Sequence, residues 1–245
     1  MESWVPVRFV GAGFALFDPL TGSVRNAPVQ RDIAAVTLVY LQLPPGGSVF
    51  LHCFKTTELG SAATDYWPGL KRLKPLAGNW QVKFLSGGPE LPAPFTSDKL
   101  HSWTRLGDTN AQRFAGTALY TLRFDKPAGD AGGWQLDLGK VCQSARVRLN
   151  GSDHGMLITP PFRVLVSEGQ LKPKDNFLEI EVTSIAANRI RDLDRRGVNW
   201  KNFHDINFVN LDYQPFDAAN WPLADAGLLS PVTLTPAAAA AHPAN

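Results

Sequence analysis

Two aspartates, Asp192 and Asp194, have the spacing in this 245-residue chain that most suggests acid–base or nucleophilic chemistry. Four arginines surround them: Arg189, Arg191, Arg195 and Arg196. Because a nearby cation lowers the pKa of a carboxyl group, the guanidinium groups should keep both aspartates ionised. An ionised aspartate can act as a nucleophile or a base, but it is a poor general acid at neutral pH. The structural alternative is a network of ion pairs and hydrogen bonds that holds a long loop in place.

The same segment contains side chains suited to binding sugar hydroxyls, because aspartate and arginine both offer paired hydrogen-bonding groups. An aromatic ring can also stack on the apolar face of a sugar, and four tryptophans lie in loop-like sequence. Packing in the core is the alternative for each of these tryptophans. The candidate carbohydrate-binding residues are Arg191, Asp192, Asp194, Arg195, Trp200, Trp221, Trp67 and Trp103.

A second pair of carboxylates, Glu179 and Glu181, lies on a strand-like segment. Residues two apart on a strand share one face, about 7 Å apart. We expect this face to be solvated, with the glutamates pairing with Arg146 or Arg148 across strands, an arrangement that stabilises the sheet only slightly.

A run of oxygen-bearing side chains suggests a metal. The run consists of Asp205, Asn207, Asn210 and Asp212. Calcium prefers such ligands, although their spacing fits no EF-hand loop. The sequence therefore allows a structural calcium site at these residues and indicates no other cofactor.

The elements that must position these residues are β-strands, because apolar and polar residues alternate in several segments. The clearest are 80–84, 118–124, 134–138, 145–149 and 178–182. One apolar and one polar face is typical of antiparallel strands that cover a core on one side. The sequence predicts an all-β antiparallel sandwich or jelly roll, with at most a turn or two of helix between Ile185 and Arg196. Val36–Leu43 and Val49–Phe54, separated by Pro-Pro-Gly-Gly, further predict a hairpin.

Composition excludes several classes of partner. A net charge of +2 is too small to indicate a nucleic-acid partner. The sequence contains no run of 18 apolar residues, so we expect no segment to span a membrane. The N-terminus lacks the basic start and apolar run of a signal peptide. Cys53 and Cys142 lie in apolar, strand-like segments, which favours two buried free thiols, although a disulfide between them stays an alternative. Two cysteines make no zinc site on their own.

The chain divides into three predicted regions. Residues 1–60 supply strands that form part of an incomplete sandwich, and residues 77–236 form a full jelly-roll domain. Residues 237–245 form an alanine-rich, disordered tail.

Several motifs carry a family resemblance that spans about residues 14–236. Phe-Ala-Gly-Thr-Ala-Leu-Tyr at 114–120, Ser-Ala-Arg-Val-Arg-Leu-Asn-Gly at 144–151 and Asn-Phe-Leu-Glu-Ile-Glu-Val-Thr at 176–183 resemble the sugar-binding jelly roll of glycoside hydrolase family 2. Ala-Ala-Asn-Arg-Ile-Arg-Asp-Leu-Asp-Arg-Arg-Gly-Val-Asn-Trp-Lys at 186–201 and Pro-Phe-Asp-Ala-Ala-Asn-Trp at 215–221 resemble the C-terminal region of family 106 α-L-rhamnosidases.

The resemblance implies a galactose-binding-like jelly roll from a periplasmic or secreted glycosidase. It also implies that the family's catalytic glutamates and calcium belong to an upstream barrel domain, so no catalytic residue is carried over to this sequence.

Three functions follow from these observations. The first is a non-catalytic carbohydrate-binding or accessory module, whose partners are a glycan and an upstream catalytic domain. The second is a small free-standing glycoside hydrolase, rhamnosidase- or galactosidase-like, that uses Asp192 or Asp194. The third is a structural module that covers another domain or a second copy of itself as a homo-oligomer. None of the three involves a nucleic acid or a membrane.

Overall fold

The computed structural model describes residues 2–8, 13–20, 22, 24–31, 36–43, 46–55, 75–128, 131, 133–202 and 213–237. The strands are β1 Glu2–Val7, β2 Gly13–Phe17, β3 Val24–Asn26, β4 Val29–Arg31, β5 Thr37–Gln42, β6 Phe50–Phe54, β7 Trp80–Gly88, β8 Phe95–Ser97, β9 Ala115–Phe124, β10 Gly133–Asp137, β11 Val141–Cys142, β12 Ser144–Leu149, β13 Ser152–Leu157, β14 Arg163–Ser167, β15 Asn176–Thr183, β16 Gly227–Leu228 and β17 Thr233–Ala237. The α-helices are α1 Thr109–Arg113 and α2 Ala187–Arg195, and short 3-10 turns occupy Trp103–Arg105 and Glu168–Gln170.

The chain forms two compact units. One comprises Met1–Arg72, Asp130–Gln135 and Pro236–Asn245, and the other comprises Leu73–Gly129 and Leu136–Thr235. The first contains two three-stranded sheets, of order β1-β5-β4 and β3-β2-β6. The second contains a six-stranded sheet of order β13-β12-β15-β9-β7-β8 and the pair β11-β16, and a further sheet has the order β14-β10-β17. The all-β antiparallel sandwich predicted from the sequence is confirmed.

The six-stranded sheet follows directly from the alternation in the sequence. In β12 and β15, and in β9 from Ala118 onward, every second residue is buried, and the residues between them are partly or fully exposed. Ile180 pairs with both Val147 and Tyr120, so apolar side chains from three strands meet on one face. This burial removes apolar surface from water, which is the main force that stabilises the sheet.

The short pair β11-β16 packs on the apolar face of this sheet. The backbone N–H of Leu228 donates to the Tyr120 hydroxyl over 3.3 Å. Gly227 has a φ of 103°, and a Cβ atom there would lie 2.4 Å from the same hydroxyl and 2.8 Å from the Trp103 ring. Glycine is therefore required both by the backbone conformation and by the close approach of the two layers.

The predicted hairpin of Val36–Leu43 and Val49–Phe54 is wrong. β5 lies between β1 and β4, whereas β6 pairs with β2 in a different sheet. Each strand instead pairs along its whole length with an N-terminal strand: β5 pairs with β1 over six residues, and β6 pairs with β2 over five. Cys53 and Cys142 are free and half-buried.

Part of the predicted domain plan lies outside the described residues. This applies to residues 56–74, which follow the N-terminal strands, and to the predicted tail from residue 238 onward. Ala237, which the sequence places at the start of the tail, is the last residue of β17.

Candidate functional site

Helix α2 positions half of the candidate site residues, and Asn188 fixes it to the loop that contains Ala224. The Asn188 amide donates to the Ala224 carbonyl and accepts from the Ala224 N–H, each over 2.8 Å. The helix ends where Gly197 adopts a φ of 63°, the left-handed conformation that commonly follows a helix. Residues 187–202 and 213–226 are called the α2 region below.

Asp194 is buried and holds the α2 region together. Its side chain is 5% exposed. Oδ1 accepts from Trp200 Nε1 over 2.6 Å and lies 3.2 Å from Lys201 Nζ, while Oδ2 accepts from the Ala218 N–H over 2.7 Å. Burial alone raises the pKa of a carboxyl group, but these three donors outweigh it and hold the pKa of Asp194 below its usual value. A carboxylate bonded in this way is suited to bracing a loop and unsuited to donating a proton.

Asp192 is held separately by two arginines. Its Oδ2 lies 2.9 Å from Arg189 Nη1 and 3.0 Å from Arg196 Nη2, and its side chain is 16% exposed. Residues two apart on a helix project to different sides, so Asp192 and Asp194 do not face each other. They do not form the facing pair of acids that glycoside hydrolysis normally needs.

Three aromatic rings line the loop beside the helix. The Trp200 and Phe216 rings meet edge to face at 6.0 Å, and those of Phe216 and Trp221 do so at 5.5 Å. Lys201 Nζ lies 5.3 Å from the centre of the Phe216 ring and donates to the Phe216 carbonyl over 2.7 Å. Trp221, at the end of the row, is 39% exposed and can offer its ring to a ligand.

Arg191 and Arg195 are one helical turn apart. Arg191 Nε donates to the backbone carbonyl of Trp221 over 2.7 Å, which ties this arginine to the residue that carries the exposed indole. Arg195 is exposed, and no hydrogen bond or ion pair is found for it with the residues that the structure describes. The structure therefore brings together five of the predicted residues besides Asp192: Arg191, Asp194, Arg195, Trp200 and Trp221.

Two predicted tryptophans do not join this region. Trp103 is fully buried against Phe84 and Phe114, at ring distances of 5.5 and 5.9 Å. Its prediction as a sugar-stacking residue is wrong, because a ring enclosed in the core cannot reach a ligand. Trp67 lies outside the described residues, as do the predicted calcium ligands Asp205, Asn207, Asn210 and Asp212.

The glutamates of β15 lie on the sheet face, as expected. Arg148 forms an ion pair with Glu181, and both side chains are about 30% exposed. Glu179 lies directly opposite Arg148 in the strand register. In the same strand as Arg148, Arg146 pairs with Asp153 and lowers the pKa of that carboxyl to about 2.

Sequence reasoning missed three contributors to the α2 region, namely Lys201, Phe216 and the backbone of Ala218. Lys201 directly follows Trp200, so its position was a usable signal, but the other two lie more than 20 residues from Asp194. A separate apolar depression of about 490 Å³ was also missed. It is lined by Phe17, Phe50, Leu51, His52 and Cys53 of the first unit.

Two absences concern only the described part of the chain. Its histidine, cysteine, aspartate and glutamate side chains form no group of three or more that could hold a metal ion. Neither of its helices has the length and apolar character needed to cross a membrane.

Comparisons with known proteins find similarity to segments of longer proteins. No model of a protein family matches it. A Formosa agariphila protein that bears the name of a β-glucuronidase is 31% identical over 179 residues, which is 65% of this chain and 15% of that protein. The structure of a rhamnosidase from Novosphingobium sp. PP1Y matches with a TM-score of 0.73 and 26% identity, over 95% of this chain and 21% of that one. The chain is thus related, in sequence and in fold, to segments of proteins named as glycosidases, and spans about a fifth or less of their length.

Proposed function

We propose that this chain acts as a non-catalytic carbohydrate-binding or accessory β-sandwich module of a glycosidase. The observation that carries the proposal is the engagement of both candidate acids within the α2 region. Asp194 has three donors and Asp192 has two guanidinium partners, so neither is poised to attack or protonate a glycosidic bond.

The rest of the α2 region favours binding. Trp221 exposes an indole ring that Phe216 contacts edge to face. The backbone carbonyl of Trp221 accepts a hydrogen bond from Arg191. A ring fixed in this way loses little conformational entropy when it stacks on a sugar, which is the condition for useful affinity. The neighbouring guanidinium groups offer paired N–H donors for hydroxyl oxygens.

The similarity to the rhamnosidase supports the more specific form of the proposal. It covers nearly the whole of this chain but only 21% of the other, as expected of one module of a multidomain glycosidase. The fit to the motifs at 186–201 and 215–221 favours the C-terminal, galactose-binding-like jelly roll of a family 106-like enzyme. Such a module would hold a glycan or pack against a catalytic domain.

A glycan-binding measurement with matched variants tests the proposal. The purified chain is applied to immobilised neutral, uronate-containing and sulfated glycans, and the affinity for each bound glycan is then determined by titration calorimetry. Trp221→Ala should lower the affinity about tenfold, the equivalent of about 1.4 kcal/mol. Phe50→Ala is the matched control, because Phe50 is an exposed aromatic residue of the other unit.

The expected result is binding of at least one glycan that needs Trp221 and is indifferent to Phe50. Binding that survives Trp221→Ala would place the site elsewhere. Failure to bind any glycan would overturn the carbohydrate-binding proposal.

A further inference from the structure

The α2 region has more positive than negative side chains. The region contains five cationic side chains and four carboxylates: Arg189, Arg191, Arg195, Arg196 and Lys201 against Asp192, Asp194, Asp217 and Asp225. Asp225 pairs with Arg105 and Lys140 outside the region, and Asp217 accepts from the Ala219 N–H. The other two carboxylates, Asp192 and Asp194, lie on the helix. The contacts of these two carboxylates show which cations are neutralised and which are left for a ligand.

Three of the five cations are used internally. Arg189 and Arg196 both bond to Asp192, and Lys201 bonds to Asp194 and to the Phe216 carbonyl. Asp194 also accepts from Trp200 and from a backbone N–H, and no arginine among the described residues forms an ion pair with it.

Arg191 and Arg195 are the remaining two. Arg191 bonds the Trp221 carbonyl through Nε alone, so no described residue takes up its two terminal nitrogens. Arg195 is exposed, and among the described residues neither a carboxylate nor a carbonyl binds it. Because the two arginines are four residues apart on one helix, their side chains lie on the same face. We call Arg191, Arg195 and Trp221 the Arg–Trp patch.

We propose that the Arg–Trp patch selects glycans that carry a negative charge, on either a uronic acid carboxylate or a sulfate ester. This inference rests on the proposed function, since it names the class of glycan that the same site takes. A guanidinium group presents parallel N–H donors that match the two oxygens of a carboxylate or sulfate. Trp221, whose backbone carbonyl is bound by Arg191, exposes an indole ring on which a sugar ring can stack. The patch therefore combines a partner for the charged group with a partner for the sugar ring.

A neutral glycan gains less at this site. It gains the stacking interaction but leaves the guanidinium charges without a counter-charge. The preference for charged glycans should also weaken as salt is added, because Arg195 is exposed and salt screens the attraction between exposed charges. The screening length is about 8–10 Å near physiological ionic strength.

The test compares glycans that differ only in charge. Trigalacturonate, its carboxyl-reduced form galactotriose, and galactotriose carrying a 6-sulfate are titrated into the chain, alongside the glycans identified by the immobilised set. Arg195→Gln removes the unpaired guanidinium, and Lys174→Gln is the control, because it removes an exposed positive charge from a loop outside the patch.

We expect a charged glycan to bind about tenfold more tightly than its neutral counterpart in low salt. Arg195→Gln should abolish that preference, because it lowers the affinity for the charged glycan by far more than the affinity for the neutral one, and Lys174→Gln should alter neither affinity. Whether the carboxylate or the sulfate form binds more tightly identifies the source of the charge.

The outcomes separate this inference from the proposal on which it depends. Equal affinity for charged and neutral glycans, or a preference that survives Arg195→Gln, would overturn the inference and leave the carbohydrate-binding function standing. If no glycan in either set bound, the proposed function itself would fail, and the selectivity with it.

Discussion

In the six-stranded sheet, backbone groups pair with the backbone of the next strand, whereas in the α2 region many of them pair with side chains. β9 and β15 match over eight consecutive residues. In the α2 region, the Ala218 and Ala224 N–H groups are bound by Asp194 and Asn188, and the Phe216 carbonyl is bound by Lys201.

This difference explains why polar residues in the two regions must be interpreted differently. A sheet satisfies its own backbone, so a polar side chain on its outer face is free to be solvated. A buried irregular segment leaves N–H and C=O groups that need partners, because an unpaired buried polar group is costly. A buried aspartate that faces such a segment, as Asp194 of α2 faces Ala218, first serves as a substitute for a strand partner, even where its sequence context suggests catalysis.

The largest effect should come from the core of the sheet. Ile180→Ala removes a fully buried side chain at the centre of β15 and should lower the free energy of unfolding by about 3 kcal/mol. Urea denaturation measures this. Glu179→Ala, at the adjacent position on the solvated face, should change the same quantity by less than about 0.5 kcal/mol. Similar losses for both variants would contradict the assignment of the two faces.

The next effect should come from the brace of the α2 region. Asp194→Asn replaces an acceptor of three donors with an amide, and should cost about 2 kcal/mol of unfolding free energy. Asp192→Asn should cost about 1 kcal/mol or less, because its partners are neighbouring arginines on the helix surface. If Asp194→Asn were as stable as the wild type, Asp194 would not be a structural residue.

The pH dependence sharpens the same point. The pKa of Asp194 is lower in the folded chain than in the unfolded chain, so its contribution is fully present above the unfolded value of about 3.9 and is lost as pH falls through the folded value. The stability difference between wild type and Asp194→Asn should therefore shrink between pH 5 and pH 3. Urea midpoints across this range measure the difference. A gap that widened on acidification would contradict the lowered pKa.

The smallest effect should come from the ion pair on the sheet face. Glu181→Gln removes the partner of Arg148, and should change the free energy of unfolding by about 0.5 kcal/mol or less, since exposed pairs contribute little. Repeating the denaturation in high salt should reduce the effect further. A loss comparable to that of Asp194→Asn would remove the contrast between the two regions.

The sequence predicted the sheet well because its rule is local. Trp80 and Trp134 are buried as expected, and the helical turns between Ile185 and Arg196 appear as α2. The alternation fails next to Trp134, where Gln135 is buried as well. Trp103 was misplaced because the 3-10 turn that buries it has no period to reveal which side faces the core. The sequence offered Arg146 or Arg148 as partners of the two β15 glutamates, and the ion pair between Arg148 and Glu181 is one of these pairings.

The α2 region was only partly predictable because its bonds join distant segments. The cluster of charges around Asp192 and Asp194 was visible, and so was the alternative that they form a structural network. The donors to Asp194 come from positions 6 to 24 residues away, and no spacing rule connects such positions. The same reason underlies the mistaken hairpin, since the partners of β5 and β6 are set by the distant strands β1 and β2.

The most direct test of whether Asp192 and Asp194 are structural is an assay of the purified chain for hydrolysis of p-nitrophenyl α-L-rhamnoside, β-D-glucuronide and β-D-galactoside. If the acids of the α2 region are structural, release of p-nitrophenol should equal that of buffer for the wild type, Asp192→Asn and Asp194→Asn alike. Turnover by the wild type that either substitution abolishes, with the fold retained by circular dichroism, would contradict their structural role.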